Sequence, residues 1–260
     1  MELSKNTPAI VTGGASGLGQ ATARAFAAIG VPVAIFDIND ALGQRTAEEI
    51  GATYHHVNIL DEESVIDGFE AARAQQGQER ICVHCAMAST RGKTLAFDKA
   101  TGGYKRLDTE TYALGIAGVL VASYRIASLS ALGMSSVEPM DDSERGCITL
   151  TASVAAQDAQ IGQIVYGSGK AGVNGMVLPM ARDLMNIGIR VNSIMPGIFA
   201  TPLMLGAPQS VLYSLAASGP FPKRLGKPEE FASLAMELAR NGYFNVQNIR
   251  LDGASRMAPR

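Results

Sequence analysis

The sequence predicts an α/β fold: a single-domain, doubly wound parallel sheet with helices on both faces. Three observations lead there. Short apolar runs alternate with helix-length amphipathic stretches from the first residues onward, and near-continuous apolar strands separated by helices mark a parallel sheet covered on both sides. A glycine-rich turn stands between the first apolar run and the first helical stretch. With 260 residues, 47% of them apolar, the chain is long enough for one large α/β domain with a substantial core. Right-handed crossovers then wind the sheet in both directions. No internal repeat, linker or low-complexity tract divides residues 1–260, so we read one domain.

Taken in order, Ala9-Ile10-Val11, Val33-Ala34-Ile35-Phe36, Ile81-Cys82-Val83, Ile148-Thr149-Leu150 and Val191-Asn192-Ser193-Ile194 read as buried strands. Each is a short run rich in β-branched side chains, too brief for a helix. His55-His56 reads as a strand approaching the surface. Helices are expected near 18–29, 40–50, 62–76, 109–132 and 163–187. Two stretches fit neither period: 88–107, rich in Gly, Lys and Thr, and 199–226, with several Pro and Gly. Long irregular segments in a compact domain act as lids or binding loops, and 199–226 is expected to be the substrate loop.

Chemistry enters at Thr12-Gly13-Gly14-Ala15-Ser16-Gly17-Leu18-Gly19, after the first strand. Gly13 allows a tight turn, and Gly17 and Gly19 let the backbone approach a pyrophosphate. The next helix then turns its free N–H groups and positive dipole end toward that anion. Asp37 closes the second strand about 20 residues on, where a carboxylate accepts bonds from the adenosine ribose hydroxyls. It would repel a 2′-phosphate, and neither Gly14 nor Ile38 supplies a cation for one. The combination predicts a Rossmann-type site for NAD rather than NADP. A second constellation is Tyr166 and Lys170, four apart, with Ser153 upstream. A phenol and an ammonium at that spacing share one helix face, and a nearby positive charge is expected to pull the tyrosine down toward neutrality. A tyrosine poised that way serves as acid or base on an alcohol or carbonyl. Ser153 follows a strand, and ligands of open α/β sheets bind outside the carboxyl ends of strands.

Composition narrows the partners. A formal charge of −2 gives no basic footprint for nucleic acid. No apolar run approaches the roughly 20 residues that span a bilayer, so no membrane partner is expected. The opening Met-Glu-Leu-Ser-Lys-Asn-Thr-Pro predicts neither signal nor transit peptide. Three cysteines suggest a reducing compartment, hence a cytoplasmic protein. Cys82-Val83-His84-Cys85 imitates a metal or redox motif, but residues three apart on a strand point to opposite faces at roughly 10 Å spacing. No metal site is predicted. Met176, Met180 and Met185 recur at near-helical spacing and read as core or subunit interface.

The glycine loop, Ser153, Tyr166, Lys170 and Pro196-Gly197 together resemble the short-chain dehydrogenase/reductase superfamily over essentially the whole chain. Thr-Ala-Ser-Val-Ala-Ala (151–156), Met-Val-Leu-Pro-Met-Ala-Arg-Asp-Leu (176–184), Pro-Gly-Ile-Phe-Ala-Thr-Pro-Leu (196–203), Pro-Phe-Pro-Lys-Arg-Leu-Gly (220–226) and Arg-Leu-Asp-Gly-Ala-Ser-Arg-Met (250–257) are similar to its type-2 3-hydroxyacyl-CoA dehydrogenases. The resemblance implies an NAD-dependent oxidoreductase of lipid metabolism that interconverts a secondary alcohol and a ketone, foremost a 3-hydroxyacyl-CoA and its 3-oxo product. The alternatives are a steroid-like, cyclic or other secondary alcohol, and, further off, a catalytically impaired scaffold. It also implies a homotetramer.

Residue by residue, the resemblance makes Tyr166 the acid/base, has Ser153 orient the substrate oxygen, and has Lys170 bond the nicotinamide ribose. Ser16 and Leu18 would touch the pyrophosphate and nicotinamide side of NAD, Asn58-Ile59 would lie beside adenine, and Cys85-Ala86 would contact a ribose by backbone. Phe199 and Thr201 would flank the carboxamide. Two departures stand out. His84-Cys85-Ala86-Met87 replaces Asn-(Asn/Cys)-Ala-Gly; Met87 either narrows the site or fills a core gap, and His84 is expected to be a satisfied core imidazole. Gly115 stands where the family has an asparagine whose backbone carbonyl holds a relay water on the lysine. Glycine keeps the carbonyl, so the expectation is a weakened relay, with Gly115→Asn raising turnover.

Overall fold

A computed structural model describes residues 1–259. The chain begins with β1 (Ala9–Thr12), α1 (Gly17–Ala27), β2 (Val33–Asp37), α2 (Asp40–Ile50), β3 (Thr53–His56), α3 (Glu62–Gln76) and β4 (Ile81–His84). A small antiparallel hairpin follows, β5 (Leu95–Asp98) with β6 (Gly103–Arg106). Next come α4 (Thr109–Ile116), α5 (Ala122–Met134), β7 (Gly146–Thr151), the short α6 (Ala155–Asp158) and the long α7 (Ile164–Leu184). The last part comprises β8 (Ile189–Pro196), α8 (Pro202–Leu205), α9 (Gln209–Ser218), α10 (Pro228–Arg240) and β9 (Asn248–Leu251).

Seven parallel strands form one sheet in the order β3-β2-β1-β4-β7-β8-β9. The order reverses between β1 and β4, which opens a crevice at the carboxyl edge where Thr12 lies in register with His84. Both faces of the sheet are covered, as the apolar strands require. On one side Ile10, Phe36, Cys82 and Ile148 pack against α3, α5 and α7 through Phe69, Ile126 and Val173. On the other, Val11, Ile35 and Val83 meet Phe26, Phe231 and Leu238 of α1 and α10. Each such aliphatic or aromatic side chain contributes about 1.5–3 kcal/mol by leaving water. Asp61 caps α3, its carboxylate accepting from Glu63 N and Ser64 N, and Asn39 caps α2 through Leu42 N.

The structure departs from the sequence expectations in four places. The helix expected over 109–132 is interrupted by a wide π turn at Ala117–Val121, where Ala122 N bonds to Ala117 O. The turn leaves the Gly118 carbonyl to accept from Ala88 N at 3.1 Å, pinning the segment after β4. From Thr109 to Met134 this helix is also long and apolar enough to cross a membrane by length and composition, against the expectation. Its buried residues Ile126, Ala127 and Met134 join the sheet's core, so the fold uses it as a core helix. Segment 88–107 contains the β5–β6 hairpin, and 199–226 contains α8 and α9. Strand β9 was not foreseen: Asn-Ile-Arg-Leu lies at a sheet edge and lacks an apolar run. Cys82 and Cys85 are both free thiols and pack into opposite cores, as strand alternation demands.

Candidate active site

The crevice at the carboxyl edge is a cleft of about 660 Å³. Every catalytic or cofactor-binding candidate from the sequence borders it: Gly13, Ser16, Gly17, Leu18, Gly19, Asp37, Asn58, Ile59, Cys85, Ala86, Ser153, Tyr166, Lys170, Phe199 and Thr201. At one end the glycine loop turns from β1 into α1. A side chain at Gly19 would overlap the Gly13 carbonyl and stand 3.1 Å from Gly14 N, so the loop closes this tightly only with glycine there. The Asp37 carboxylate is fixed before any ligand arrives: Oδ2 accepts from Ala15 N at 3.1 Å and Oδ1 from Asn39 N at 3.0 Å. Ile38 beside it is exposed and carries no charge. Asn58 Oδ1 accepts from Leu60 N at 3.1 Å, which leaves a second lone pair for an exocyclic amine. Ile59 is buried at the cleft wall.

The middle of the cleft is tied to β1 by one hydroxyl. Thr12 Oγ1 accepts from Cys85 N and Ala86 N, both at 3.1 Å, and lies 2.7 Å from His84 Nδ1. Phe199 is held by a parallel bridge to Gly226, with Ala200 N on Gly226 O at 2.8 Å and Gly226 N on Ile198 O at 2.9 Å. Thr201 caps α8 through Met204 N.

The reactive groups converge at the end of β7. Ser153 is buried, its hydroxyl bonded to the Tyr166 phenol and accepting from Ala155 N at 3.1 Å. Lys170 is 3% exposed, and its Nζ donates to the Thr151 carbonyl at 2.6 Å. Burial pushes this lysine down to about 8, opposed by the charge of Cys85. The expected depression of Tyr166 is not found. Burial raises its pKa, and only the Ser153 bond opposes the rise. The reason is geometric: Lys170 Nζ sits over the face of the tyrosine ring, 5.8 Å from its centroid, rather than at the hydroxyl.

Met87 follows one of the two alternatives offered for it, whereas His84 and Gly115 depart from expectation. Met87 is 43% exposed and borders the cleft, so it narrows the site and fills no core gap. His84 is buried as expected but only half satisfied, because its Nε2 has no partner among the described residues. Gly115 is a packing glycine: a Cβ would overlap Val165 Cγ1 and would stand 3.0 Å from Thr90 N. An asparagine cannot be accommodated there without displacing both, so the expected gain in turnover is withdrawn.

Sequence reasoning missed Thr151, whose carbonyl anchors Lys170, together with Gln160, Gln163, Leu215 and Met257. Thr151 could have been found from its place at the end of β7. Met257 could not, because the tail is brought to the cleft by long-range bonds, Ile161 N to Pro259 O and Gln160 Nε2 to Ala258 O, both at 3.0 Å. Among the described residues, no three His, Cys, Asp or Glu side chains cluster as a metal site.

Known proteins align with this arrangement throughout. The family described as "Enoyl-(Acyl carrier protein) reductase" matches residues 13–253. The chain is 41% identical over 257 residues to "3-hydroxyacyl-CoA dehydrogenase type-2" of Drosophila melanogaster, spanning 98% of this chain and 99% of that one. It is 38% identical to the Homo sapiens protein of the same name, over 98% and 97% respectively. A crystal structure of "3-hydroxyacyl-CoA dehydrogenase type-2 from Mycobacterium avium" superposes with a TM-score of 0.91 at 40% identity, covering 100% of both chains.

Proposed function

The chain belongs to the short-chain dehydrogenase/reductase family of oxidoreductases, and from that premise we propose that it interconverts a 3-hydroxyacyl-CoA and a 3-oxoacyl-CoA with NAD. One observation carries the reading: Ser153, Tyr166 and Lys170 meet at the crevice where the strand order reverses, opposite the glycine loop.

The residues fit a dinucleotide. The Gly13–Gly19 turn leaves no room for a side chain at Gly13 or Gly19, and the Asp37 carboxylate borders the cleft with no ion-pair partner among the described residues. Gly13, Ser16, Gly17, Leu18 and Gly19 would hold the pyrophosphate, Asp37 the adenosine ribose, and Asn58 with Ile59 the adenine. Phe199 and Thr201 would face the carboxamide. When bound, NAD would supply the acceptor for the hydride that leaves the carbinol carbon. The protein's part is the proton and the geometry. Ser153 donates to the substrate oxygen and fixes it against Tyr166, whose phenolate takes the alcohol proton in oxidation and whose phenol returns it in reduction. Lys170, anchored on Thr151 O, would bond the nicotinamide ribose and would offer positive charge to the phenolate.

The substrate class is supported by the names of the relatives at about 40% identity and by the hairpin. Lys93, Lys99, Lys105 and Arg106 lie on or beside β5 and β6. That segment is tethered to the cleft rim where Gly92 bridges Gln163, a place suited to the phosphates of a CoA ester. Leu114, Val121, Tyr124 and Leu132 are exposed on the helix from Thr109 to Met134, as are Ile164, Leu178 and Met185 on or just after α7. We assign these surfaces to pairing in a homotetramer. Three free thiols suit the reducing cytoplasm.

The test is NADH formation, followed by near-ultraviolet absorbance, with a panel of 3-hydroxyacyl-CoA esters and cyclic secondary alcohols. Turnover of the thioesters is expected. Turnover of cyclic alcohols alone would move the substrate assignment, and tight NAD binding without any turnover would make the protein a scaffold. Asp37→Ala is expected to lower kcat/KM for NAD by about 10- to 100-fold, the loss of a charge-assisted bond, and to bring NADP level with it or ahead. Steady-state kinetics with both cofactors checks this.

A further inference from the structure

The half-satisfied imidazole of His84 has a definite tautomer. Thr12 Oγ1 receives Cys85 N and Ala86 N, and among the described residues its own hydrogen is matched by one acceptor, His84 Nδ1 at 2.7 Å. That nitrogen is therefore the bare one, and the hydrogen of the neutral ring sits on Nε2. Burial holds the ring neutral by lowering its pKa to about 3, with the charge of Lys170 adding to the effect. The result is a buried N–H donor without a protein partner among the described residues, and such donors are nearly always satisfied by water when protein offers nothing.

Where this donor points follows from the sheet. Strand alternation puts His84 on the face of Cys82, which packs with Val119, Ile126 and Val173 beneath the π turn, α5 and α7. His84 lies in register with Leu150 on the neighbouring strand. The next residue, Thr151, is the one whose carbonyl holds Lys170 Nζ. The β7 carbonyl that anchors the ammonium thus lies one residue beyond the position in register with His84 on the neighbouring strand. An ammonium has three hydrogens, and Thr151 takes one. A water oxygen has two lone pairs, enough to accept from both groups.

We propose that His84 donates its Nε2 hydrogen to a buried water that also accepts from Lys170, which makes His84 a positioning residue for the lysine of the reaction. The assignment rests on the dehydrogenase reading only for its catalytic meaning; the water site itself does not. Losing His84 removes one of the water's two protein donors, and with it an acceptor that helps keep Lys170 charged.

Other charges around Lys170 are accounted for. Cys85 acts on it from the end of β4, and Tyr166 lies one turn back on α7. On the elements packed against α7, Asp158 pairs with Arg250 and Arg190 with Glu144. Tyr112 bonds Ser168, Arg125 bonds the Ile59 carbonyl, and Glu110 and Tyr124 face solvent.

Isotope-edited NMR of the folded protein tests the proposal without turnover. The wild-type His84 signal is expected to report the Nε2–H tautomer and no protonation down to about pH 5. The Lys170 ionisation is expected to fall by about one pH unit in His84→Phe and to return toward wild type in His84→Gln, whose amide N–H reaches the Nε2 position. The high-pH limb of kcat/KM should move with it. An Nδ1–H tautomer, or a Lys170 ionisation unmoved in folded His84→Phe, overturns the proposal. If the phenylalanine variant does not fold, the wild-type tautomer decides. Absence of dehydrogenase activity would instead strike the functional reading and leave the NMR result standing.

Discussion

Tyr166→Phe is expected to lower kcat for alcohol oxidation by at least about 10³-fold while cofactor affinity changes little. The phenol is the group in the cleft placed to exchange a proton with a substrate oxygen, bonded as it is to the Ser153 hydroxyl. Positioned acid–base groups contribute about 10²–10⁴-fold, and the hydride step cannot proceed while the alcohol keeps its proton. Stability should hold or rise slightly. Burial already penalises the charged phenol, Ser153 keeps its bond from Ala155 N, and the ring continues to pack under Lys170. Three measurements check this together: steady-state kinetics, NADH fluorescence titration and thermal unfolding. Residual activity within tenfold of wild type would remove Tyr166 from its assigned role. A parallel loss of NADH binding would make its role structural.

The second large effect lies at Gly115, and its sign is opposite to what family resemblance suggests. Restoring the asparagine is expected to destabilise the protein by about 2–3 kcal/mol or more, within the usual range for overpacking. For a chain of this size that is roughly 5–10 °C in melting temperature. The new side chain would drive into Val165 and the Thr90 backbone. Neither can yield cheaply. Thr90 Oγ1 is committed to the Thr111 carbonyl at 2.7 Å, and Val165 is fully buried next to Tyr166. Displacing Val165 also moves the tyrosine, so turnover should fall with stability. Calorimetry and activity on Gly115→Asn, with Gly115→Ala as the milder step, test this. An unchanged melting temperature with faster turnover would reinstate the relay explanation.

How much of this could be read from the residues alone depended on what each segment packs against. Strands β1, β2, β4, β7 and β8 announce themselves because both faces are buried, leaving little room for polar residues. Strand β9 is an edge, and Arg250 within it serves ion pairs with Asp158 and Asp252, so no apolar signal survives. The β5–β6 hairpin is largely exposed and is held by its own ladder and by the Phe97–Tyr104 edge contact, neither of which leaves a period in sequence. The site was legible as identities because glycine turns and strand ends have fixed places in this topology. Its electrostatics were not. Helix spacing brings Tyr166 and Lys170 together, but only three-dimensional packing puts the ammonium over the ring and buries the phenol, reversing the expected shift. The tautomer of His84 likewise depends on which hydrogens reach Thr12, a matter of register between β1 and β4.

Thr12 itself has a consequence for binding thermodynamics. Its hydroxyl joins the start of the glycine loop to Cys85, Ala86 and His84, so two walls of the cleft on different strands form one rigid unit. Ordering a backbone residue costs about 1–2 kcal/mol of conformational entropy, and here that loss falls on folding rather than on ligand capture. The dinucleotide therefore meets a wall that is already set, and contacts made there appear in affinity without deduction for loop ordering.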